Sequence, residues 1–437
     1  MAKANPGSNV LSQSLKLPCG GTLINRLAKA SMTEGLGDSM NRATDRHVRA
    51  YRRWAQGGAG LVLTGNVQVD RTHLDRAGNI AIDGNGGLEG LRAMARAGTS
   101  AGNHLWMQIN HPGRQTPASI NPTPLAPSAI PLSAVEQGCG SPVAMTEAQI
   151  VDVVKRFAHV ATVARETGFT GVQIHAAHGY LLSQFLSPLS NARTDAWGGS
   201  LGNRARLLME IVAAVRKAVG RDYPVAVKLN SSDFQKSGFS AEESMQVVRW
   251  LSEASLDLIE ISGGNYEQPQ MIGQGESQVA AARQTGSVYE STRLREAYFL
   301  DYATRIRPTT DLPLMITGGF RSSAGMKAAL ESDVLDLIGL ARPLCADLDA
   351  CVKLLAGTVE EIISPERMLK LDRATLGPGS SDIELKMMQS YGPVAWCYLQ
   401  ILRLGEGEEP DLSLTALEAL AGYDASERAA IAALQRN

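Results

Sequence analysis

At 437 residues, the chain is long enough for one large α/β barrel with added segments, because such barrels reach about 250 residues or more as single units. Its 42 basic and 44 acidic residues leave a formal net charge of -2, which argues against nucleic acid or a membrane as a partner and favours a small-molecule substrate. The five cysteines form no CxxC pair, the start lacks a signal-peptide core, and no apolar run reaches membrane length, so we expect a soluble, cytoplasmic protein.

The first 25 residues predict a small hairpin. Two short apolar runs between residues 11 and 25 flank the turn signal Pro18-Cys19-Gly20-Gly21. We expect this segment, residues 1–25, to cover one end of the core.

Between residues 26 and 357, short apolar runs alternate with longer segments of 3.6-residue periodicity. Short apolar strands separated by helices are typical of a parallel sheet covered on both faces. Eight such units favour a closed (β/α)8 TIM barrel, although periodicity alone leaves an open doubly wound α/β sheet as an alternative. The predicted strands are 27–32, 60–66, 105–109, 171–175, 224–229, 257–262, 313–317 and 335–339. The predicted helices are 45–56, 88–101, 146–167, 203–219, 241–254 and 293–306.

Two connections are long for a barrel, at residues 110–145 and 181–203. Both follow predicted strands, on the face where barrels carry their sites, so they indicate enclosure of a substrate. After the eighth unit the alternation ends. Residues 358–437 predict a helical extension, with an acidic linker at 405–410 and a terminal amphipathic helix at 412–434.

A group of hydrogen-bonding side chains follows the fourth predicted strand. His175, His178 and Tyr180 leave the strand end together at the Gly179 turn. Two imidazoles and a phenol offer donors that suit an electron-rich oxygen of a substrate. The two histidines together with His111 would also suit a metal, so a metal-dependent barrel hydrolase is an alternative. Against it, no Asp or Glu stands at a neighbouring strand end to complete a ligand set.

Residues at other strand ends suit a flavin ring. Gln108 offers an amide to a pyrimidine-like edge, and Thr33 offers a hydroxyl and a backbone N–H to a carbonyl. Lys228 offers a fixed positive charge that would stabilise an anionic reduced ring. Taken singly, each residue also has a structural interpretation, such as a core hydrogen bond or an ion pair.

The last two predicted strands end in a pattern that suits a phosphate. Gly318 and Gly319 allow a close approach of the backbone, and Arg342, beside Ala341 on the next strand, supplies a charged fork. Barrels form phosphate sites at this position, after their seventh and eighth strands.

From about residue 25 to residue 349, the chain resembles the old yellow enzyme family of FMN-dependent ene-reductases. The most specific segment reads Ile174-His-Ala-Ala-His-Gly-Tyr-Leu-Leu-Ser-Gln-Phe-Leu-Ser-Pro188. Supporting segments are Asn191-x-Arg193-Thr-Asp195, Asn203-Arg204-x-Arg206, Gln108-x-x-His111-x-Gly-Arg114, Thr317-Gly-Gly-Phe320 and Gly339-Leu-Ala-Arg-Pro343.

The resemblance implies non-covalent FMN, reduced by NADH or NADPH, and the reduction of activated C=C bonds in enones, enals or nitroalkenes. A flavin-dependent oxidase or demethylase on the same fold is an alternative. By resemblance, the flavin contacts are Met32, Thr33, Asn66, Gln108, Lys228, Gly318, Gly319, Ala341 and Arg342. His175 and His178 would hold the substrate oxygen and Tyr180 would donate the proton. Asn110 and Tyr266 would also contact the substrate.

The chain departs from the family pattern at several positions. Lys228 stands where an Arg is usual, which keeps the charge but loses the planar fork. Gly65 lies in a segment that usually contains a Glu, and Asn110 stands where some members have a Trp. Closely spaced cysteines for an iron–sulfur cluster are missing, and the tail is too short for a dinucleotide-binding domain, so we expect FMN alone. The sequence leaves a homodimer or a higher homo-oligomer open.

Overall fold

The structure, a computed structural model, describes residues 9–132, 138–264, 299–377 and 379–436. Eight parallel strands form a closed barrel, because each strand pairs with the next and the last pairs with the first. The predicted (β/α)8 barrel is therefore confirmed. The barrel strands are Leu27–Lys29 (β1), Leu61–Gln68 (β2), His104–Asn110 (β3), Gly171–Ala176 (β4), Val225–Asn230 (β5), Leu258–Ser262 (β6), Leu314–Thr317 (β7) and Leu337–Leu340 (β8).

Helices surround the barrel close to the predicted positions, and residues 293–298 of the predicted helix 293–306 lie outside the described residues. Thr146 caps one of them as expected, with its hydroxyl accepting a hydrogen bond from the Gln149 N–H. Gly168 and Gly220 follow two helix ends with φ of 95° and 77°, conformations that favour glycine. The helices of the barrel are Asp45–Gln56 (α1), Leu88–Gly98 (α2), Glu147–Glu166 (α3), Leu181–Leu186 (α4), Leu201–Val219 (α5), Ala241–Glu253 (α6), Leu300–Ile306 (α7), Ser323–Glu331 (α8), Pro343–Ala346 (α9) and Ala350–Ala356 (α10).

The predicted hairpin is present at the amino-terminal end of the barrel. Strands Leu15–Lys16 and Thr22–Leu23 pair antiparallel, and Leu23 is fully buried in a cluster with Trp106 of β3. The backbone N–H of Cys19 donates to Asp257 Oδ1, just before β6, at 2.7 Å. The hairpin therefore covers the end of the barrel opposite the strand ends where the site was predicted.

The carboxyl-terminal extension is helical, and its predicted linker was partly wrong. Gly405 and Glu406 belong to a long helix that ends at Gly407, which has a φ of 87°. The last turn of this helix lies against α1, where Arg49 donates to the Gly405 carbonyl at 2.6 Å and Arg46 pairs with Glu406 at 2.6 Å, so tertiary contacts override the local linker signal. The helices of the extension are Pro365–Met368 (α11), Arg373–Leu376 (α12), Asp382–Glu406 (α13) and Ala416–Leu434 (α14).

The extension contacts the barrel through Arg76, in the loop after β2. The guanidinium carbon of Arg76 lies 4.0 Å from the ring centre of Tyr398 on α13 and 4.9 Å from that of Tyr423 on α14. Its Nε lies 2.5 Å from Glu427 Oε1. Both long helices of the extension therefore contact the loop that follows β2. None of the helices in the described residues is long and apolar enough to cross a bilayer.

Candidate active site

The predicted group of His175, His178 and Tyr180 comes together beyond β4. The ring centre of His175 lies 5.0 Å from that of His178 and 4.8 Å from that of Tyr180, both in edge-on arrangements. His178 has a φ of 61°, a conformation that is uncommon for residues other than glycine. Such strain at a strand end is typical of functional sites, because the surrounding structure must impose it.

Both imidazoles are neutral at pH 7. Burial, followed by the positive charge of Lys228, holds the pKa of His175 and that of His178 well below the ordinary value of 6.5. His175 Nδ1 accepts the N–H of Ala177 at 3.2 Å, so its ring proton is on Nε2, which can donate to a ligand. His178 Nε2 lies 2.6 Å from the Ser262 hydroxyl at the end of β6.

The hydroxyl of Tyr180 donates to Asp75, in the loop after β2, at 3.2 Å. Asp75 was not among the residues predicted from the sequence. It lies in an irregular loop without a recognisable motif, so no periodicity or spacing pointed to it.

Lys228 forms an ion pair with Glu260, its cross-strand neighbour on β6, at 3.0 Å. Glu260 also accepts a hydrogen bond from Gln173 of β4 at 2.8 Å. Gln173 in turn accepts from Gln108 Nε2 at 2.6 Å, and the Ser31 hydroxyl donates to Gln108 Oε1 at 2.6 Å. The predicted residues Gln108 and Lys228 are thus joined by one buried network that crosses the barrel.

Glu260 and Gln173 were not among the residues predicted from the sequence. Both are polar residues inside strands that are fully buried and mostly apolar. A charged residue in such a strand is costly without partners, and this could have served as a signal.

The predicted phosphate residues follow neighbouring strands. Gly318 and Gly319, after β7, have φ of 124° and 83°, which favour glycine. Ala341 and Arg342 follow β8, which pairs with β7. Arg342 lies 3.8 Å from Glu366 of the extension. The pair of strand ends can therefore offer backbone groups and a cation to one anion.

The strand ends of β2 and β3 fit a polar ligand such as the flavin ring. Asn66 Oδ1 and both side-chain amide atoms of Asn110 are buried without a hydrogen-bond partner in the parts of the chain that the structure describes. Buried polar atoms are rarely left unpaired, because this costs free energy. Met32 and Thr33 follow β1 beside them, and Thr33 donates to Asp75 at 3.4 Å. Tyr266, predicted to contact substrate, lies outside the described residues.

Glu34 lies against Gly65, one of the positions at which this chain departs from the family pattern. The carboxylate of Glu34 accepts the Gly65 N–H at 2.7 Å and the hydroxyl of Tyr51. A Cβ at Gly65 would overlap with Glu34 and with the carbonyl of Met32. The glycine therefore leaves room for a carboxylate that comes from another strand end.

The three histidines of the alternative metal site are not grouped as predicted. Within the described segments, the three potential ligands that lie within 4.8 Å of one another are Asp70, His73 and His111. Both ring nitrogens of His73 are already engaged, by Asp70 at 3.0 Å and by the Leu125 N–H at 3.0 Å. This cluster is explained by its own hydrogen bonds.

Comparison with known proteins gives consistent matches. The profile of the NADH:flavin oxidoreductase / NADH oxidase family matches residues 17–361. The NADH-dependent flavin oxidoreductase iliE of Neonectria sp. is 35% identical over 407 residues, which cover 89% of this chain and 50% of that protein. This chain therefore spans about half the length of that relative.

Two further matches cover most of both chains. The NADH-dependent flavin oxidoreductase iccE of Talaromyces variabilis is 38% identical over 352 residues, 76% of this chain and 83% of that protein. The solved structure of an old yellow enzyme homologue from Zymomonas mobilis covers 80% of this chain and 93% of its own, with a TM-score of 0.65 at 22% identity.

Proposed function

Since the chain belongs to the NADH:flavin oxidoreductase / NADH oxidase family, whose cofactor is FMN, we propose that it reduces activated C=C bonds of small molecules with NADH or NADPH as the electron source. The observation that carries this proposal is the convergence of two neutral imidazoles and a phenol beyond β4. Such donors suit an alkene activated by a carbonyl or nitro group, because hydride addition builds negative charge on that oxygen.

The FMN site is proposed at the carboxyl-terminal ends of the strands. Support comes from the unpaired amide atoms there, the Lys228 charge and the glycine conformations after β7. Bound FMN supplies the two-electron chemistry between nicotinamide and alkene. The proposed contacts to its ring and phosphate are Met32, Thr33, Asn66, Gln108, Lys228, Gly318, Gly319, Ala341 and Arg342.

The chain's own residues then have separate tasks. His175 and His178 hold the substrate oxygen and stabilise the charge that develops on it. Tyr180 gives a proton to the α carbon. Asn110, buried at the end of β3 with both amide atoms unpaired among the described residues, is placed to recognise a further polar group of the substrate.

The experiment follows the two half-reactions separately. Purified protein with a flavin absorption band is reduced anaerobically with NADH or NADPH and then mixed with cyclohexenone or with O₂. We expect rapid reoxidation by the enone with formation of cyclohexanone. Reoxidation by O₂ alone would instead favour a flavin oxidase, and a colourless protein that does not bind FMN would contradict the proposal.

A further inference from the structure

Asp75 collects hydrogen bonds from several groups of the proposed site. Its carboxylate accepts from Tyr180 at 3.2 Å, from Asn66 Nδ2 at 3.0 Å, from Gln68 Nε2 at 2.5 Å and from Thr33 at 3.4 Å. All four donors are neutral hydroxyl or amide groups. Asp75 therefore connects the proposed proton donor with two proposed flavin contacts without an ion pair to any of them.

The neighbouring cation, Arg76, is paired with a different carboxylate. Arg76 pairs with Glu427 at 2.5 Å and stacks on Tyr398, so its charge is largely satisfied by the extension. A carboxyl group surrounded by neutral donors can exist with or without its proton, whereas a carboxylate in an ion pair is held in the charged form.

We propose that Asp75 is a positioning residue for proton transfer: it orients the Tyr180 hydroxyl and, when protonated, returns a proton to the phenol oxygen as Tyr180 protonates the substrate. This inference rests on the proposed function, because it requires Tyr180 to be the donor. It explains why a carboxyl group lies beside a phenol that is not itself acidic near pH 7.

The step conserves protons and electrons. One hydride, with two electrons, adds to the β carbon, and one proton passes from Tyr180 to the α carbon. When Asp75 is protonated, its carboxyl group becomes the donor across the 3.2 Å contact that Tyr180 donates along when Asp75 is ionised, and the carboxyl proton moves to the Tyr180 oxygen as the phenol proton leaves for the α carbon. Asp75 is then a carboxylate, and solvent returns its proton before the next turnover.

The protonation of Asp75 gives the step a pH dependence. Burial raises the pKa of Asp75 above its ordinary value of 3.8, against the lowering effects of Asn66, Tyr180 and Arg76. Three other titratable groups face Asp75 from neighbouring elements: Glu34 after β1, Tyr398 on α13 and Tyr423 on α14. The proton supply is therefore present below the raised pKa and is lost as the pH rises through it.

Asp75→Asn tests this directly, since the amide keeps the size and an acceptor oxygen but carries no titrating proton. In stopped-flow experiments on FMN-loaded enzyme, we expect the variant to reduce cyclohexenone about tenfold more slowly, less than the loss of a directly positioned acid. The fall of the wild-type rate with rising pH should disappear. Oxidation by a quinone needs no carbon protonation and should be unchanged.

Infrared difference spectra supply a readout that does not depend on turnover. We expect a protonated carboxyl band that titrates in the oxidised wild type, is missing in Asp75→Asn and shifts in Tyr180→Phe. If Asp75→Asn does not fold, the shift of the carboxyl band in Tyr180→Phe still tests whether Asp75 interacts with the phenol. The matched control is Tyr223→Phe, which removes a buried hydroxyl that bonds to the Phe169 carbonyl at 2.8 Å, away from Asp75.

The outcomes separate this inference from the proposed function. If Tyr180→Phe slows alkene reduction while Asp75→Asn keeps the wild-type rate and pH profile, only the role of Asp75 is overturned. A carboxyl band that is unaffected by Tyr180→Phe overturns it as well. If Tyr180→Phe reduces the alkene at the wild-type rate, the proton donor of the proposed function is wrong and the role of Asp75 is lost with it.

Discussion

Lys228 Nζ lies 3.0 Å from Glu260 Oε1, and the two side chains are 6% and 0% exposed. Glu260 also accepts hydrogen bonds from Gln173 at 2.8 Å and from Thr317 at 2.7 Å. The charge that faces the proposed flavin ring is therefore partly balanced by a carboxylate behind it. The two residues should act on the flavin potential with opposite signs.

Lys228→Met should lower the midpoint potential of bound FMN and slow its reduction by nicotinamide, because the anionic reduced ring loses a counter-charge. Glu260→Gln should raise the potential, since it leaves the lysine charge unbalanced. Equilibrium redox titration measures both shifts. Arg216→Met, which removes a similar ion pair to Asp257 at the other end of the barrel, is the control. Shifts of the same sign, or none, would place the lysine away from the ring.

The sequence predicted the barrel well because its strands have a strong local signal. All eight are short, mostly apolar and separated from one another by helices, so burial on both faces leaves few alternatives. The observed ends of β2 and β3 extend past the predicted ends, to Gln68 and Asn110, because polar residues at the active face remain in the ladder. Strand ends depend on tertiary pairing and are therefore harder to predict.

The candidate site was predicted only in part. The motif around His175 and Tyr180 is local, so the sequence placed these residues together. Asp75 and Glu260 join the site through long-range contacts. Asp75 and Tyr180 are 105 residues apart in sequence, and Gln173 and Glu260 are 87 residues apart. A linear pattern cannot show such pairing, and the same is true of the Arg76 contacts to the extension.

Arg76 provides a test of the extension. Its side chain is 4% exposed and pairs with Glu427 of α14 at 2.5 Å. Glu427→Gln should lower the free energy of unfolding by about 2 kcal/mol, because a buried guanidinium loses its counter-charge. Chemical denaturation of the full chain measures this.

On the same helix, Asp424→Asn is the matched control for Glu427→Gln. Asp424 pairs with Arg428 at the surface, where the side chains are 61% and 69% exposed. This change should cost less than about 0.5 kcal/mol. Equal effects of the two variants would show that the Arg76 contact does not hold the extension on the barrel.

The burial of His47, in the first turn of α1, predicts that the free energy of unfolding decreases in acid. Its Nδ1 accepts the Thr44 N–H at 3.1 Å, and burial, with Arg46 nearby, lowers its pKa from 6.5 to about 3. The unfolded chain therefore binds a proton at this residue below pH 6.5, and the folded chain does so only near pH 3. The free energy of unfolding must fall as the pH falls through this window.

His47→Gln keeps an acceptor but does not titrate, so it should remove this loss, worth about 3 kcal/mol at pH 4. Urea unfolding at pH 7 and pH 4 measures the difference between variant and wild type. His159→Gln, at an exposed position on α3, is the control and should leave the loss unchanged. If the stability of His47→Gln falls with acid as steeply as that of wild type, another group must be responsible.

Tyr180→Phe separates the two half-reactions of the proposed function. Reduction of the flavin by nicotinamide needs no proton donor, so its rate should be nearly unchanged. Reduction of cyclohexenone needs a proton at the α carbon and should slow by roughly 10²–10⁴-fold, the usual contribution of a positioned acid. Oxidation by a quinone or by O₂ should change little. His175→Ala should act differently and weaken the binding of phenols and enones, because the Nε2 donor is lost. Stopped-flow measurement of each half-reaction distinguishes these effects, and equal enone rates for wild type and Tyr180→Phe would mean that another group supplies the proton.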